Sequence, residues 1–403
     1  MERWKVNLYT LWVTQLFSLM GFGLCVPFIP FFLQVIGVSD PVQLHYYTGI
    51  SSTLPAATMA ISAPVWGFIA DRFGRKIMII RAMLCSAILL ASMGISQRVW
   101  QFLVLRSLQG VFSGTITASM GFVSVNTPVN KRAYALGLMT SSNFLGYSIG
   151  PFIGGILAEI VGYRGCFYLG GLLVGIGAIL AIALIKEDKS TYGKIFTGSD
   201  EKGEKESGLI TPLVLLLLLT VFLQRLAKHV FTPYLALFVQ ANLGTVSGAA
   251  SYTGIINGSI GLATALAAVT IPRLGDKYNK MKLTLLLTFI SFFVTLLLPF
   301  STGLLNFMLI FTIYYFVVGA AEPILTSLAA ENVPISMGSA LFGLWGTVTS
   351  LAAMVAPMVG AGISVAFGLK SVLIVLPIVT LVQIICLYVP GRRALTGKKR
   401  EGM

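Results

Sequence analysis

The sequence predicts an all-α integral membrane fold of twelve transmembrane helices in two pseudo-symmetric six-helix bundles, and three observations lead there. First, hydrophobic residues make up 56% and charged residues only 10% of the 403 positions, with a mean hydropathy of +0.88. That composition excludes an ordinary soluble domain. Second, at about 20 apolar residues per span the apolar runs accommodate twelve helices with short connections. A closed barrel is the other way to satisfy every backbone group in lipid, and the alternating strands it needs are absent from the sequence. Third, the second half repeats the first: adding 206 to the residue number carries Pro27 to Pro233, Pro128 to Pro334, Gly137 to Gly343, Pro151 to Pro357, Gly154 to Gly360 and Gly162 to Gly368. Landmarks at a constant offset over half a chain mark a duplicated bundle.

The net charge of +14 raises the question of nucleic acid, but the basic residues lie between spans and form no patch with interleaved aromatics, so no nucleic-acid partner is expected. Arg98, Arg164 and Lys370 fall in loops on one side and Arg106, Arg225 and Lys228 within spans; the remaining Lys and Arg lie on the other side. That asymmetry predicts a multi-pass protein of the inner or plasma membrane with both termini cytoplasmic. Cys25, Cys85, Cys166 and Cys386 sit within apolar runs and read as small core residues rather than a disulfide framework. The first run follows Lys5 and continues as a full span, so no cleavable signal is expected.

Taken in order, the first run, Val6 to Val35, carries Pro27 and Pro30 in its outer half, where neighbours can re-satisfy an interrupted backbone. Gln15, Ser18 and Phe22 share one face and form a candidate cavity wall. Between spans 2 and 3, the stretch Trp66 to Lys76 (WGFIADRFGRK) interrupts two apolar runs. Gly67 and Gly74 permit close backbone approach, Asp71 suits the amino end of a facing helix, and Arg72, Arg75 and Lys76 hold the turn on the cytoplasmic side. Trp100 to Val125 reads as one span with Arg106, Gln109, Ser113 and Thr117 on a single stripe. An arginine there costs about 2.5 to 3.5 kcal/mol on insertion scales and should face protein or water, unless it snorkels to the outer interface. In span 5, Gly146, Gly150 and Gly154 recur every four residues beside Pro151, with Gly137 before and Gly155 after them, forming a groove for a neighbouring helix. In the second copy Gly146 becomes Ala352 and Gly150 becomes Ala356. Residues 1–185 then form the first bundle, the polar, mixed-charge stretch 186–210 a cytoplasmic linker, and 211–403 the second bundle with a short basic tail.

Span 7 carries Gln224, Arg225, Lys228 and His229, the last three within about 100° on a helical wheel. Exposed to lipid, Arg225 and Lys228 would cost on the order of 5 to 7 kcal/mol together. They are expected to line water or meet an acid; snorkelling at the cytoplasmic interface is the plainer alternative. One acid lies well inside a span, Glu322 in span 10, with Tyr315, Gly319 and Thr326 on its face. Two roles stay open for it. A low-dielectric cavity disfavours a charged carboxyl and suits it to exchanging protons, whereas a structural ion pair with Lys228 or Arg225 would keep it ionised.

The Trp66–Lys76 stretch resembles the loop between spans 2 and 3 of the major facilitator superfamily of transporters, and Leu105 to Gly110 (LRSLQG) resembles that family's span 4 motif, whose arginine is linked to proton coupling. The glycine pattern from Gly137 to Gly155 resembles the antiporter motif of its exporter families. With VPFIP at Val26 to Pro30 and the span 10 acid, the whole chain looks like the twelve-span drug and proton antiporters of the bacterial multidrug efflux type. The resemblance implies the major facilitator fold, a cavity lined by spans 1, 4, 7 and 10, and alternating access by rocking of the bundles. Many such exporters carry an acid on span 1 or 4, and neither span has one here, which favours neutral or anionic amphiphiles over cationic drugs.

The expectation is therefore a proton-coupled exporter of lipophilic small molecules, embedded in the lipid bilayer as a monomer, driven by the proton gradient and using no cofactor or metal. Glu322 and Arg106 would couple protons. Gln15, Phe22, Gln109, Gln224, Arg225, Lys228, His229 and Tyr315 would line the substrate cavity. Gly67, Asp71, Arg72, Gly74, Arg75, Lys76 and Asp276 would gate the cytoplasmic face. Two rivals are a translocator of an anionic lipid or organic anion using the basic face of span 7, and a membrane receptor or scaffold without transport. An enzyme is not expected, since no metal cluster, phosphate loop or nucleophile constellation stands out and the chain has two histidines, His45 and His229.

Overall fold

The computed structural model describes residues 2–187, 211–275, 277–333 and 337–397, without the side chains of Asp71, Leu274, Gly338, Ser339, Ala340 and residues 389–397. Positions 188–210 of the expected linker, Asp276, Pro334 and the end of the basic tail lie outside the described residues.

Among the described residues every regular element is a helix, and eleven helical stretches are long and apolar enough to cross a membrane. One of them, Val129–Leu184, has 56 residues, about 84 Å at the helical rise against a hydrocarbon core of about 30 Å. It divides at Gly162, whose φ of 71° and ψ of 169° are not helical. The two parts are spans 5 and 6, which brings the total to the twelve expected.

The repeat is structural as well as sequential. Span 1 consists of α1 (Arg3–Gly23), a tight turn at Val26–Phe28 and α2 (Ile29–Val35). Pro27 has no N–H to give to a regular helix, so the chain tightens there and restarts. A turn of the same kind recurs 206 residues later at Thr232–Tyr234. Gly162 is likewise matched by Gly368, at φ 87° and ψ 161°. Both backbones need a positive φ, which glycine adopts without steric cost.

The intervening helices are α3 (Pro41–Phe73), α4 (Arg75–Ile95), α5 (Val99–Val111), α6 (Thr115–Asn126) and α7 (Arg132–Leu184). Asp40 starts α3 by accepting a hydrogen bond from the Gln43 amide at 3.0 Å. Gly74, at φ 95°, ends α3 and turns the chain into α4.

Span 4 corrects the expected single stripe. The helix stops at Val111 and resumes at Thr115 through Gly114 in the left-handed region (φ 110°, ψ 19°). Arg106 and Gln109 therefore share a face on α5, while Thr117 is exposed on α6. A helix end inside a bundle leaves carbonyls without intrahelical partners, and span 2 and span 3 supply the donors. The Trp66 indole donates to the Val111 carbonyl at 2.6 Å and Arg81 donates to the Ser113 carbonyl at 3.1 Å. The Arg81 guanidinium lies 3.5 Å from the centre of the Trp66 ring, which fixes both side chains.

The second half comprises α8 (Pro212–Phe231), α9 (Leu235–Leu243), α10 (Ala249–Thr270), α11 (Pro272–Gly275), α12 (Lys280–Leu297), α13 (Leu304–Glu331), α14 (Gly338–Phe367) and α15 (Ser371–Gly397). By packing, the chain forms two compact units. Unit 1 is Met1–Lys205 with Leu243–Gly261, and unit 2 is Glu206–Asn242 with Leu262–Met403. The start of α10, which lies in the second half of the sequence, thus packs within unit 1.

Unit 1 is built on backbone-to-backbone contact between α1 and α7. A Cβ added at Gly150 would lie 2.9 Å from the Gly23 Cα, one at Gly154 2.7 Å from the Leu24 Cα, and one at Gly146 2.5 Å from the Leu19 Cβ. On its other side α7 meets α10, where a Cβ at Gly155 would lie 2.5 Å from the Ala250 carbonyl oxygen. Without a hydrophobic driving force between helices in lipid, such close approach supplies the dispersion contacts that hold them together. Unit 2 keeps one of these contacts: a Cβ at Gly360 would lie 2.2 Å from the Val230 carbonyl oxygen, at the positions that correspond to Gly154 and Leu24. Ala352 and Ala356 are fully buried, so in this copy methyl groups stand where the first copy has bare glycines against α1.

Candidate functional site

Two helices of unit 2 assemble the cluster of charged side chains. Thr211 starts α8 by accepting a hydrogen bond from the Val214 amide at 3.2 Å, with Pro212 at the first helical position. Three turns on, Gln224, Arg225 and Lys228 emerge on the face toward α13. Gln224 Nε2 donates to the Val318 carbonyl at 3.2 Å, one turn before Glu322. Pro323 follows that acid within the helix and removes the N–H that the Gly319 carbonyl would accept.

Glu322 is held by both cations. Its Oε1 meets the Arg225 guanidinium and its Oε2 accepts from Lys228 Nζ at 3.1 Å. Side-chain exposures of 32% for Arg225, 23% for Glu322 and 11% for Lys228 decide what the cluster can do. The carboxylate is mostly desolvated but not fully enclosed by protein. His229 is half-buried on the same stretch of α8. With neutral histidine the cluster carries two positive charges against one negative, an excess that an anionic or polar ligand would neutralise.

Where α8 ends before Pro233, the Lys228 carbonyl accepts from the hydroxyls of Thr232 and Tyr315, the latter at 3.1 Å, and the two hydroxyls lie 2.8 Å apart. Tyr315 therefore ties span 10 to the broken end of span 7 through its hydroxyl. Beyond it, Phe231, Phe238, Phe307 and Phe311 form a buried aromatic block with ring centroids 4.5 to 5.8 Å apart. On the other side, Leu217, Val221, Leu325 and Leu328 belong to an aliphatic core with Trp345. The ion pair is a polar layer between two dry ones, midway along spans 7 and 10. Glu331 lies at the far end of α13, exposed and paired with Lys280, in keeping with an interface residue.

Unit 1 places its own candidates. Arg106 is buried, and its guanidinium donates to the Ser51 carbonyl at 2.9 Å and to Gln109 Oε1. It stays inside the bundle against neutral oxygens instead of snorkelling. Gln15 is buried at 2% exposure and Phe22 is half-buried, so of these two the phenyl ring is the more open surface. Buried Gln15 Nε2 and the neighbouring Ser18 hydroxyl find no protein hydrogen-bond partner among the described residues.

In the turn between spans 2 and 3, nothing lies within 4 Å of a Cβ added at Gly67. Arg72 is exposed, 5.6 Å over the Phe73 ring. The Asp71 side chain and Asp276 lie outside the described residues. The turn is anchored by a residue that the sequence reading passed over. Glu187 Oε1 and Oε2 accept from the amides of Arg75 and Lys76, each at 2.9 Å, which caps α4 with a carboxylate at its positive end. Arg75 also donates to the Gly121 carbonyl and Lys76 Nζ to the Ile182 carbonyl, at 3.1 Å. Sequence alone gave no sign of this, because Glu187 opens a mixed-charge run and its partners lie more than 100 residues away. Glu187→Ala should lower stability by about 1 to 2 kcal/mol, read as a lower thermal midpoint in detergent, while Glu187→Gln should recover part of the loss.

In the glycine series, Gly146, Gly150 and Gly154 face α1 and Gly155 faces α10, whereas a Cβ at Gly137 would meet nothing within 4 Å. Pro151 is buried between them. Every one of these contacts serves close packing.

Comparison with known proteins adds the following. The sequence model of the Major Facilitator Superfamily matches residues 11–216 and 217–402. The chain is 29% identical over 99% of its length, and 98% of the other's, to the multi-drug resistance efflux pump PmrA homolog of Lactococcus lactis. It is 31% identical over 92% of its length, and 91% of the other's, to the multidrug resistance protein MdtG of Salmonella arizonae. Among solved structures, a bacterial homolog of the human lysosomal transporter Spinster, inward-facing and occupied, superposes with a TM-score of 0.77 at 14% identity, covering 96% of each chain. The human organic anion transporter MFSD10 superposes with a TM-score of 0.68 at 16% identity, covering 96% of this chain and all of its own.

Proposed function

The chain belongs to the major facilitator superfamily, a family of membrane transporters and not of enzymes, and from that premise we propose that it is a proton-coupled exporter of lipophilic small molecules working by alternating access. The observation that carries this reading is the doubly paired Glu322, mostly desolvated yet partly open in the middle of span 10. Proton uptake converts the carboxylate to a neutral acid and ends the attraction of Arg225 and Lys228. Loss of the proton restores it. A switch between one net charge and the next is the kind of event that biases a two-state transporter, because each state is stabilised by different contacts. In the outward-open state the acid takes its proton; open to the cytoplasm, it gives the proton up as substrate enters beside Gln224 and Tyr315. A relative named a multi-drug resistance efflux pump supports the direction, and it and a relative named a multidrug resistance protein support the class of cargo.

The test is a panel of neutral, anionic and cationic amphiphiles in inside-out vesicles. Export of at least one lipophilic compound should stop when the proton gradient is collapsed; a panel with no gradient-dependent flux would refute proton-driven export. A second reading follows from the excess positive charge at Arg225 and Lys228: the cargo is an anionic lipid or organic anion. Anions dominating the panel, with cationic dyes unmoved, would favour it.

A further inference from the structure

Unit 1 contains a cavity of about 490 Å³ that takes no part in the charge cluster of unit 2. It lies where spans 1, 4, 5 and 6 end, at the same end of the unit as Arg75 and Lys76. Arg3, Arg132 and Lys186 line it, with Trp4, Asn7 and Thr127, and among the described residues no carboxylate lines it. We propose that this cavity is a binding site for a phosphate-bearing anion, the phosphodiester head group of an anionic lipid or a free phosphate.

Four observations converge. The three basic side chains come from three separate parts of the chain, so nothing in the local sequence obliges them to meet. The acids beside two of them already have partners: Glu2 pairs with Lys5 at 2.9 Å and accepts from the Trp4 indole at the cavity's edge at 3.1 Å, and Glu187 caps α4. Helices α1 and α7 both begin at the rim, at Arg3 and Arg132, and neither first turn receives a side-chain cap. Their positive ends add to the three cations. Finally, the floor is prebuilt: Asn7, buried at 5% exposure, exchanges two hydrogen bonds with the Lys186 backbone, at 2.9 and 3.0 Å. That clamp holds Lys186 against α1 independently of any ligand.

Trp4 gives the lipid source a physical basis, since an indole with one polar edge settles at a membrane interface, and basic pockets between spans on the cytoplasmic side suit anionic head groups. With both termini cytoplasmic, as in the orientation read from the charge bias, the site faces the inner leaflet.

For the test, the full-length protein is delipidated in neutral detergent and titrated with phosphatidylglycerol, phosphatidylcholine and inorganic phosphate, with binding followed by native mass spectrometry and by thermal midpoint. Phosphatidylglycerol should bind and phosphatidylcholine should not. The R3Q/R132Q/K186Q variant should weaken phosphatidylglycerol binding on the order of 100-fold, about fivefold per charge. Phosphate binding that is lost in the same variant, without a lipid effect, upholds the anion site and assigns a soluble source. Unchanged binding of both ligands in the variant overturns it. Should the triple variant not fold, the unmodified protein is labelled with a photoactivatable phosphatidylglycerol. Cross-links within 125–132 or 3–7 support the site, and cross-links confined to other segments refute it.

Discussion

Replacing Glu322 with Gln should abolish substrate exchange driven by a pH difference in proteoliposomes while leaving a folded, monodisperse protein. The amide has the size of the protonated acid but cannot change its charge, so the step that alternately frees and recaptures Arg225 and Lys228 is removed. Stability should fall as well, because truncating one member of a desolvated pair leaves the other charges uncompensated; about 3 kcal/mol is the scale for a buried pair, and the partial exposure of all three groups lowers it here. Glu322→Asp should keep some coupling. If the Gln variant exchanges substrate with the pH dependence of the parent, Glu322 is a structural partner and the coupling site lies elsewhere.

The second large effect is expected at the contact between α1 and α7. Gly150→Leu places a branched side chain where even a Cβ would lie 2.9 Å from the Gly23 Cα and 3.0 Å from the Met20 Cα. Backbone cannot move aside as a flexible side chain would, so the helices must separate along their length. The loss should exceed about 3 kcal/mol, seen as failure to recover monomeric protein by size-exclusion chromatography. Gly137→Ala is the control: nothing lies within 4 Å of the added methyl group, so its yield and thermal midpoint should stay near those of the parent. Normal yield from the Leu variant would show that the packing of unit 1 is looser than its geometry.

Much of this was legible in the sequence, for identifiable reasons. Hydropathy reports spans because lipid leaves the backbone few alternatives, and the offset of 206 reports the duplication, down to the matched turns at Pro27 and Pro233. The pairing of Glu322 with Arg225 and Lys228 was legible as one of two alternatives, since charges inside a membrane must find one another or water. What escaped notice were features set by contacts between distant segments. The break at Gly114 lies in an apolar run without proline, and only Trp66 and Arg81 reaching across from other spans make it tolerable. Glu187 is one acid among several in a polar run until the fold brings it to the start of α4. The aromatic block beyond Tyr315 looked like generic apolar sequence because its rings come from spans 7 and 10. That the start of α10 packs within unit 1 is not written in the order of the chain.

The glycine seam of unit 1 has a mechanical consequence. Two cylinders whose main chains touch have no soft layer of side chains between them to compress or shear, so α1 and the span 5 part of α7 must travel as a single stiff beam. Whatever deformation accompanies a working cycle is then left to joints outside that seam.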